Sequence, residues 1–378
     1  MEGSNKNEKL KVAIVHDFLT YWGGAEQVLQ SLHNLYPDAP IYTLLYDKKM
    51  DEYFPDAKIR VSFLGKLPEF LKKRKKFLLP LFPTAAETFD LSGFDLVISS
   101  GAFAKGVIVR PRTLHISYCH APTRFLWDWY RNYLEENHIG KIKRLFVVPV
   151  LHLMRIWDRS AAERADFYVA NSRNTARKIK KFYGRESEVI YPPVDFTKFN
   201  KMKNLPSVSE KDYYLIVSRL SPYKKINIAI AAFNKTGLPL VIVGEGSDRK
   251  RLENSAKENI KLLGFQDEEH LAAYYRGAKA VIFPGEDDFG ITIVEAMSFG
   301  KPVLAFGRGG ALETVTPGKT GELFESAVPE ILADGVRRMG RNMDKYDAEE
   351  IKTFAERFSR ENFERSFKQF VDKCLENK

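Results

Sequence analysis

Two cations, Arg219 and Lys224, stand five positions apart in the second half of the chain. They come at the end of the apolar run "YYLIV", which predicts a buried strand, so both are expected beyond its carboxyl end. A guanidinium and an ammonium group in that place can clamp a diphosphate through charge-assisted hydrogen bonds. Two exposed surface cations would show the same spacing, so the pair becomes informative only together with other groups.

Three consecutive acids, residues 286–288, follow a second apolar run, "KAVIFPG", and precede a helical pattern. The helix is expected to begin near Gly290, where free backbone N–H groups of residues 290–292 suit phosphate. Carboxylates such as Asp287 suit sugar hydroxyls, and a nucleotide sugar carries both groups. Thr292 and Glu295 also have the T-x-x-E spacing of a capping box, which would explain Glu295 without any ligand.

The first half of the chain offers a glycine pair and a histidine. Gly23 and Gly24 follow the predicted first strand, 10–16, and either let a ligand approach the backbone or form a plain tight turn. His120 follows another predicted strand and precedes Ala121-Pro122. Its imidazole either faces a ligand cleft or is a satisfied core side chain.

Alternation of strands and helices in both halves predicts two doubly wound parallel sheets and an α/β fold. The expected domains are 1–193, a linker 194–210 and 211–355, with a C-terminal helix 356–378 packing back on the first domain. The linker prediction rests on prolines and polar residues without periodicity. Ligands of such sheets bind at the carboxyl ends of strands, so we expect a site in a cleft between the domains.

Composition excludes several classes of protein. The 378 residues contain no apolar run of the ~18 residues that a membrane span needs, and residues 1–9 carry no secretory core. Cys119 and Cys374 match no metal or redox spacing, which favours reduced thiols in a cytoplasmic protein. Neither the dinucleotide fingerprint nor the P-loop motif is present in the sequence.

The net charge of +10 is uneven along the chain. The basic run 72–76 precedes "FLLPLFP", so the segment Lys72–Pro83 combines cations with apolar residues. Such a segment favours an anionic membrane surface, while a solvated helix end followed by core residues would look the same. No basic stripe with interleaved aromatic residues indicates nucleic-acid binding.

Together these motifs resemble those of retaining glycosyltransferases of family 4. The acid Asp287 and Glu295 are separated by seven residues that include Phe289-Gly290, and Arg219 and Lys224 have the family's spacing. "HDFLTYWGGAEQVL" resembles the family's first glycine loop, and "SYCHAPTRFLWDWY" resembles a segment of O-antigen-type mannosyltransferases. The resemblance implies the GT-B fold, with two Rossmann-like domains facing across a cleft.

The resemblance also implies roles for single residues. Arg219 and Lys224 would stabilise the leaving diphosphate, Glu295 would bind the ribose, and Asp287 would bind the transferred sugar. His120 would lie beside the reacting face of that sugar, and Glu26 would contact the acceptor. The remaining expected donor-binding residues are Gly23, Gly24, Gly244, Phe265, Phe289, Gly290, Ile291 and Thr292.

The implied reaction is retaining transfer of a hexose, with mannose from GDP-mannose favoured, to a saccharide or polyprenyl-linked acceptor. The reaction is expected to need neither a metal nor a cofactor. The enzyme is expected to attach peripherally to the inner face of the cell membrane. A UDP-sugar-dependent transferase and a nucleotide-sugar epimerase remain alternatives. A non-catalytic sugar-binding module is another, because Asp287 stands where the family usually has Glu, and Glu286 lies one place too early.

Overall fold

The computed structural model describes residues 10–72, 75–137, 139–196, 205–208, 210 and 212–377. The predicted start 1–9, Lys73 and Arg74 of the basic run, and most of the predicted linker lie outside the described residues. The chain forms two compact units. The first contains Met1–Pro192 together with Phe363–Lys378, and the second contains Pro193–Asn362.

The first unit is built on a seven-stranded parallel sheet with the order β3-β2-β1-β4-β5-β6-β7. Its strands are β1 (Val12–Leu19), β2 (Ile41–Tyr46), β3 (Ile59–Val61), β4 (Leu96–Ser100), β5 (Leu114–Cys119), β6 (Phe167–Ala170) and β7 (Glu188–Val189). Its helices are α1 (Gly24–Leu35), α2 (Glu69–Lys72), α3 (Lys75–Leu78), α4 (Phe82–Glu87), α5 (Tyr130–Glu136), α6 (Lys141–Ala161) and α7 (Arg173–Tyr183). Short 3₁₀ turns cover Lys48–Glu52, Phe63–Lys66, Leu79–Leu81, Ala104–Gly106 and Arg124–Leu126.

The second unit has a six-stranded parallel sheet with the order β10-β9-β8-β11-β12-β13. Its strands are β8 (Tyr214–Val217), β9 (Leu240–Val243), β10 (Ile260–Gly264), β11 (Ala280–Phe283), β12 (Val303–Phe306) and β13 (Gly321–Phe324). Its helices are α8 (Ile226–Thr236), α9 (Arg249–Ser255), α10 (Glu268–Gly277), α11 (Ile291–Ser298), α12 (Ala311–Thr314), α13 (Pro329–Arg341), α14 (Ala348–Ala355) and the start of α15 (Arg360–Glu376). The 3₁₀ turns are Pro222–Lys224, Met343–Lys345 and Glu356–Phe358.

The central strands are buried along their whole length, and most of their residues are apolar. Every residue of β4, β5, β9, β11 and β12 is buried, as expected for parallel strands covered on both faces. The helices take their bounds from local signals. α7 begins where the Ser172 side chain accepts a hydrogen bond from the Thr175 N–H, and it ends at Gly184 in the left-handed conformation. The predicted α/β fold of two doubly wound sheets is confirmed.

Helix α15 completes the core of the first unit. Its side chains Phe363, Phe367, Val371 and Cys374 are buried in the same cluster as residues of β1, β4 and β5. Tyr118 on β5 packs edge-on against the ring of Phe363, 5.8 Å away between centroids. The chain therefore leaves the first unit after Pro192, forms the second, and returns to finish the first.

The structure corrects one expectation about an element and adds other elements. β1 extends to Leu19 rather than ending at residue 16, because Phe18 and Leu19 pair with Leu45 and Tyr46 of β2. A further strand, β13, follows β12, and its four residues carry little periodicity. Residues 127–164 include two helices, α5 and α6.

Candidate functional site

In the second unit, the predicted cations and acids follow the two strands between which the strand order reverses, β8 and β11. Arg219 and Lys224 follow β8, and Asp287 follows β11. At such a point, the connections that follow the two strands run to opposite sides of the sheet. The carboxyl ends of the two strands therefore border a crevice in which ligands bind. The topology thus brings groups that are more than sixty residues apart in sequence to one edge of one sheet.

The ammonium group of Lys224 forms a close ion pair with Oδ2 of Asp287. Both side chains are mostly buried, at 16% and 20% exposure, and the Lys224 Nζ lies 5.3 Å from the ring centroid of Tyr223. Arg219 is exposed at the end of β8. An ammonium group and a carboxylate are therefore held side by side at this edge of the sheet.

Helix α11 begins beside this pair. Gly290 is its N-cap, with φ +86, and the backbone N–H groups of Ile291 and Thr292 lie in the first turn, where no helical partner is available. Thr292 therefore sits inside the helix, and the predicted capping box is wrong. The left-handed glycine starts the helix two residues earlier, so the Thr292 hydroxyl cannot cap it. The positive end of the α11 dipole faces the region where a phosphate would bind.

Glu295 does not cap the helix, and its carboxylate is hydrogen-bonded by a tyrosine. Its Oε2 accepts a hydrogen bond of 3.1 Å from the hydroxyl of Tyr275 on α10. Tyr275 is buried and its ring stacks on Phe299, with centroids 5.3 Å apart. A carboxylate fixed in this way keeps acceptor capacity for ribose hydroxyls.

Two glycines that sequence reasoning missed support the acidic loop. The N–H of Gly310 donates to the carbonyl of Asp287 at 2.9 Å, and a Cβ on Gly310 would overlap the backbone of Phe289. Gly309 has φ +62, and a Cβ there would overlap the carbonyl oxygen of Asp287. In the sequence, the turn motif "RGG" after β12 is the feature from which these two glycines could have been predicted. The Phe289 ring is buried against Phe358, so only its backbone is placed to contact a ligand.

Gly244 and Phe265 follow the neighbouring strands β9 and β10. Gly244 has φ +134, and a Cβ there would overlap the carbonyl oxygen of Ser218, so the backbone itself requires glycine. Its N–H donates to the carbonyl of Gly264 at 2.8 Å, next to Phe265. The Phe265 side chain is 78% exposed, which leaves its ring free to stack on a flat base.

In the first unit, His120 and Glu26 are linked through two residues that sequence reasoning missed. The His120 Nε2 lies 2.9 Å from Oγ of Ser100, which lies 3.3 Å from Nδ1 of His16. The Nε2 of His16 lies 3.5 Å from Oε1 of Glu26. We call this series of four side chains, Glu26, His16, Ser100 and His120, the histidine relay. It occupies the carboxyl ends of β1, β4 and β5, where the strand order of the first sheet also reverses.

Burial keeps the end of the relay uncharged. Desolvation, followed by the neighbouring His16, lowers the pKa of His120 to about 3. The His120 imidazole is therefore neutral near pH 7 and can exchange a hydrogen bond without carrying charge. At the other end, Glu26 is 3% exposed, and its Oε2 has no hydrogen-bond partner among the described residues. A buried carboxylate oxygen of this kind is well suited to receive a ligand hydroxyl.

The glycine pair lies beside Glu26. Gly23 is the N-cap of α1 in an extended conformation, and Gly24 is the first helical residue. A Cβ on Gly23 would come within 3.2 Å of Oε2 of Glu26. Glycine at position 23 thus leaves room beside this buried oxygen of Glu26.

The described part of the chain offers neither a membrane span nor a metal cluster. No helix there is long and apolar enough to cross a membrane. No group of three or more His, Cys, Asp or Glu side chains there is arranged to hold a metal ion.

Fold and site together define an enzyme of the GT-B type, and comparison with known families agrees. Residues 22–198 match the model of "Glycosyltransferase Family 4", and residues 197–355 match that of "Glycosyl transferases group 1". The chain belongs to glycosyltransferase family 4 and is a glycosyltransferase. This relationship supports a nucleotide sugar as donor and argues against the epimerase and non-catalytic alternatives.

Several characterised and uncharacterised proteins are similar. An uncharacterised glycosyltransferase of Methanocaldococcus jannaschii is 24% identical over 93% of this chain and 94% of its own. The alpha-1,3/1,6-mannosyltransferase ALG2 of Saccharomyces cerevisiae is 27% identical over 68% of this chain, which spans 61% of the yeast enzyme. ALG2 of Dictyostelium discoideum is 27% identical over 60% of this chain and 64% of its own length.

Solved structures share the fold. Anabaena HepE in complex with UDP superposes with a TM-score of 0.69 at 20% identity, covering 96% of this chain and all of that one. The lipopolysaccharide outer core galactosyltransferase WaaB superposes with a TM-score of 0.65 at 18% identity, covering 97% of this chain and all of its own. Both likenesses extend over both units.

Proposed function

We propose that this enzyme transfers mannose from GDP-mannose, with retention of configuration, to a hydroxyl group of a saccharide carried on a polyprenyl lipid. Similarity to ALG2, an alpha-1,3/1,6-mannosyltransferase, from several eukaryotes supports the sugar and the linkage type. The expected donor and acceptor follow from the same resemblance, and the enzyme works in the cytoplasm.

The observation that carries the proposal is the meeting of Lys224, Asp287 and the start of α11 at the β8–β11 switch point. Negative charge grows on the diphosphate as its bond to the sugar breaks. A fixed ammonium group, a nearby guanidinium and first-turn N–H groups stabilise that charge without reorganising. Asp287 and Glu295 bind hydroxyls of the sugar and the ribose.

In the proposed reaction, the bond from the anomeric carbon to the phosphate oxygen breaks with its electron pair leaving on the diphosphate. The acceptor oxygen attacks the same face, and its proton passes to the departing phosphate oxygen. Neutral His120, positioned by Ser100, binds the transferred sugar. Lys224, Arg219 and the helix N–H groups supply the positive charge, so the proposed reaction uses neither a metal nor a cofactor.

A thermal-shift panel with GDP, UDP, GDP-mannose and UDP-glucose tests the donor. A ligand that binds the native state raises the melting temperature by mass action. We expect GDP and GDP-mannose to give the largest shifts, and Lys224→Ala to abolish them. Lys235→Ala is the matched control, since Lys235 also pairs with a carboxylate, Glu330, but on the surface of α8.

A UDP-sugar donor is the second candidate, because HepE, with the same fold, was solved with UDP. Larger shifts with UDP and UDP-glucose than with the guanosine compounds would replace the first candidate by this one. No shift with any nucleotide at millimolar concentration would contradict a nucleotide-sugar donor altogether.

Turnover with a polyprenyl-linked saccharide tests the rest of the proposal. We expect an α-linked product by NMR, and the same rate after treatment with EDTA. A β-linked product would contradict retention, and a rate lost in EDTA and restored by manganese would contradict the metal-free mechanism.

A further inference from the structure

Helix α6 of the first unit exposes a continuous apolar stripe. Its 21 residues make it about 31 Å long at 1.5 Å per residue. Large apolar side chains that are between 36% and 77% exposed recur along it every three or four residues. We call these residues the outer stripe: Ile142, Leu145, Phe146, Val150, Leu153 and Ile156.

The outer stripe lies opposite the face that packs into the protein. Leu151, Met154, Asp158 and Ala161 are buried, and they project from the other side of the helix. A surface helix of a globular protein normally has one apolar stripe, which faces the core. A second stripe on the solvent side has no role in packing the first unit, and an exposed patch of this kind marks an interaction surface.

Exposed apolar residues also occur in a segment whose buried side chains share a core cluster with α6. The predicted membrane segment Lys72–Pro83 is divided: Leu78 and Phe82 are core residues of the cluster that contains Leu151 and Met154, whereas Phe77 is 77% exposed and Leu81 is 43% exposed. The Nζ of Lys76 donates to Oδ1 of Asn137, which lies just before α6. Part of this segment therefore belongs to the core and part lies at the surface, and its attachment to a membrane stays a prediction.

The stretch of sequence that carries the outer stripe has charged residues of one sign. Residues 137–157 contain no Asp or Glu, while Lys141, Lys143, Arg144 and Arg155 are all within them. Neither Lys141 nor Lys143 forms an ion pair with a described residue, and both are exposed. An apolar stripe flanked only by cations is complementary to the headgroups and acyl chains of an anionic bilayer. A second copy of this surface would instead place like charges against each other.

The helix is held rigidly in place from beneath. Asp158 is fully buried, and its carboxylate accepts hydrogen bonds from Lys105 at 2.6 Å, Thr123 Oγ1 at 2.7 Å and Trp127 Nε1 at 2.7 Å. The outer stripe is therefore presented on a folded element, and binding does not have to order it first.

We propose that the outer stripe of α6, with Phe77 and Leu81, docks the enzyme on the surface of an anionic lipid membrane. The helix lies in the interfacial plane, its apolar side chains enter the acyl boundary, and Lys141 and Lys143 contact lipid phosphates. The inference stands on the surface alone and does not depend on which sugar the enzyme transfers.

Co-sedimentation of the full chain with vesicles tests this surface. In 50 mM salt we expect binding to vesicles of phosphatidylcholine with phosphatidylglycerol, and weaker binding to phosphatidylcholine alone. The double variant Phe146→Ser, Leu153→Ser should lower the partition coefficient by about tenfold or more, because two large apolar groups no longer enter the lipid. Lys141→Gln should lower binding to the anionic vesicles by about fivefold and leave neutral vesicles unaffected.

The matched control is Ile108→Ser, Val61→Ser, which removes two exposed apolar side chains of the same unit that are not part of α6. It should bind vesicles as the wild type does, and both double variants should keep the wild-type melting temperature and GDP-induced shift. Wild-type protein that fails to bind anionic vesicles would overturn the proposal, as would an outer-stripe variant that binds like the control. Self-association that is lost in the outer-stripe variant, without vesicle binding, would overturn it in favour of a second copy.

Discussion

At the scale of single residues, Lys224 is the group whose charge matters most to the proposed chemistry. Its ammonium group is mostly buried at the switch point, next to the first turn of α11. Lys224→Ala should lower kcat by about a hundredfold, equivalent to about 3 kcal/mol, because the growing diphosphate charge loses a preorganised partner. Arg219→Ala should have an effect of the same size. Steady-state kinetics checks both, and near-wild-type turnover in either variant would contradict the assigned clamp.

Ser100 is the residue that joins the two histidines of the relay. Ser100→Ala removes the hydrogen bonds to His120 and His16, so the neutral imidazole loses its orientation. We expect kcat to fall by roughly tenfold, the value of about one hydrogen bond, with KM for the donor unchanged. Ser99→Ala is the control: Ser99 is the preceding residue of β4, is equally buried, and bonds to His115 instead. An equal loss of kcat in both variants would show that Ser100 has only a structural role.

Sequence reasoning placed some site residues and missed others for a physical reason. Arg219, Lys224 and Asp287 follow long apolar runs, and the ends of such runs locate the edge of a sheet without knowledge of strand order. His16 and Ser100 lie inside strands β1 and β4, and their meeting depends on the pairing of those strands across 84 residues. Sequence periodicity does not encode that pairing.

At the scale of elements, β5 carries a histidine that should make the fold sensitive to acid. His115 is fully buried, its Nε2 lies 2.9 Å from Oγ of Ser99, and burial lowers its pKa to about 4. Between the unfolded pKa of about 6.5 and this value, the unfolded chain binds a proton that the folded chain does not. Stability therefore falls as the pH is lowered through this window, by about 2 kcal/mol at pH 5 for this group.

His115→Asn should remove that contribution. Urea unfolding between pH 7 and pH 5 should show a smaller loss of unfolding free energy in the variant than in the wild type. His152→Asn, which changes an exposed histidine on α6, should leave the pH dependence as it is. Equal slopes for wild type and His115→Asn would mean that the buried imidazole is charged in the folded state.

Elements themselves were predicted well where apolar runs were long. β11 and β12 lie within the runs that predict them, and the helical pattern after β11 is α11. The start of α11 near Gly290 agrees with the prediction, whereas Thr292 and Glu295 satisfy the spacing of a capping box that does not form, because the helix already begins at Ile291. β13 was missed because four residues of mixed polarity carry no usable period.

At the scale of the whole molecule, the first unit depends on the last residues of the chain. Phe367 on α15 is fully buried in the cluster formed by β1, β4 and β5. Phe367→Ala should destabilise the first unit by about 3–5 kcal/mol, because it leaves a cavity in that core. Phe370→Ala, at a half-buried position against Phe167, should cost less. Urea unfolding followed by tryptophan fluorescence measures both, and equal effects would contradict the assigned core role of α15.

The central claim is that the β8–β11 switch point of the second unit grips the diphosphate of the donor. A crystal structure with GDP tests it directly. We expect diphosphate oxygens about 3 Å from the Nζ of Lys224 and from the N–H groups of Ile291 and Thr292, with a ribose hydroxyl on Glu295. A diphosphate bound elsewhere, with Lys224 still paired to Asp287, would contradict the account.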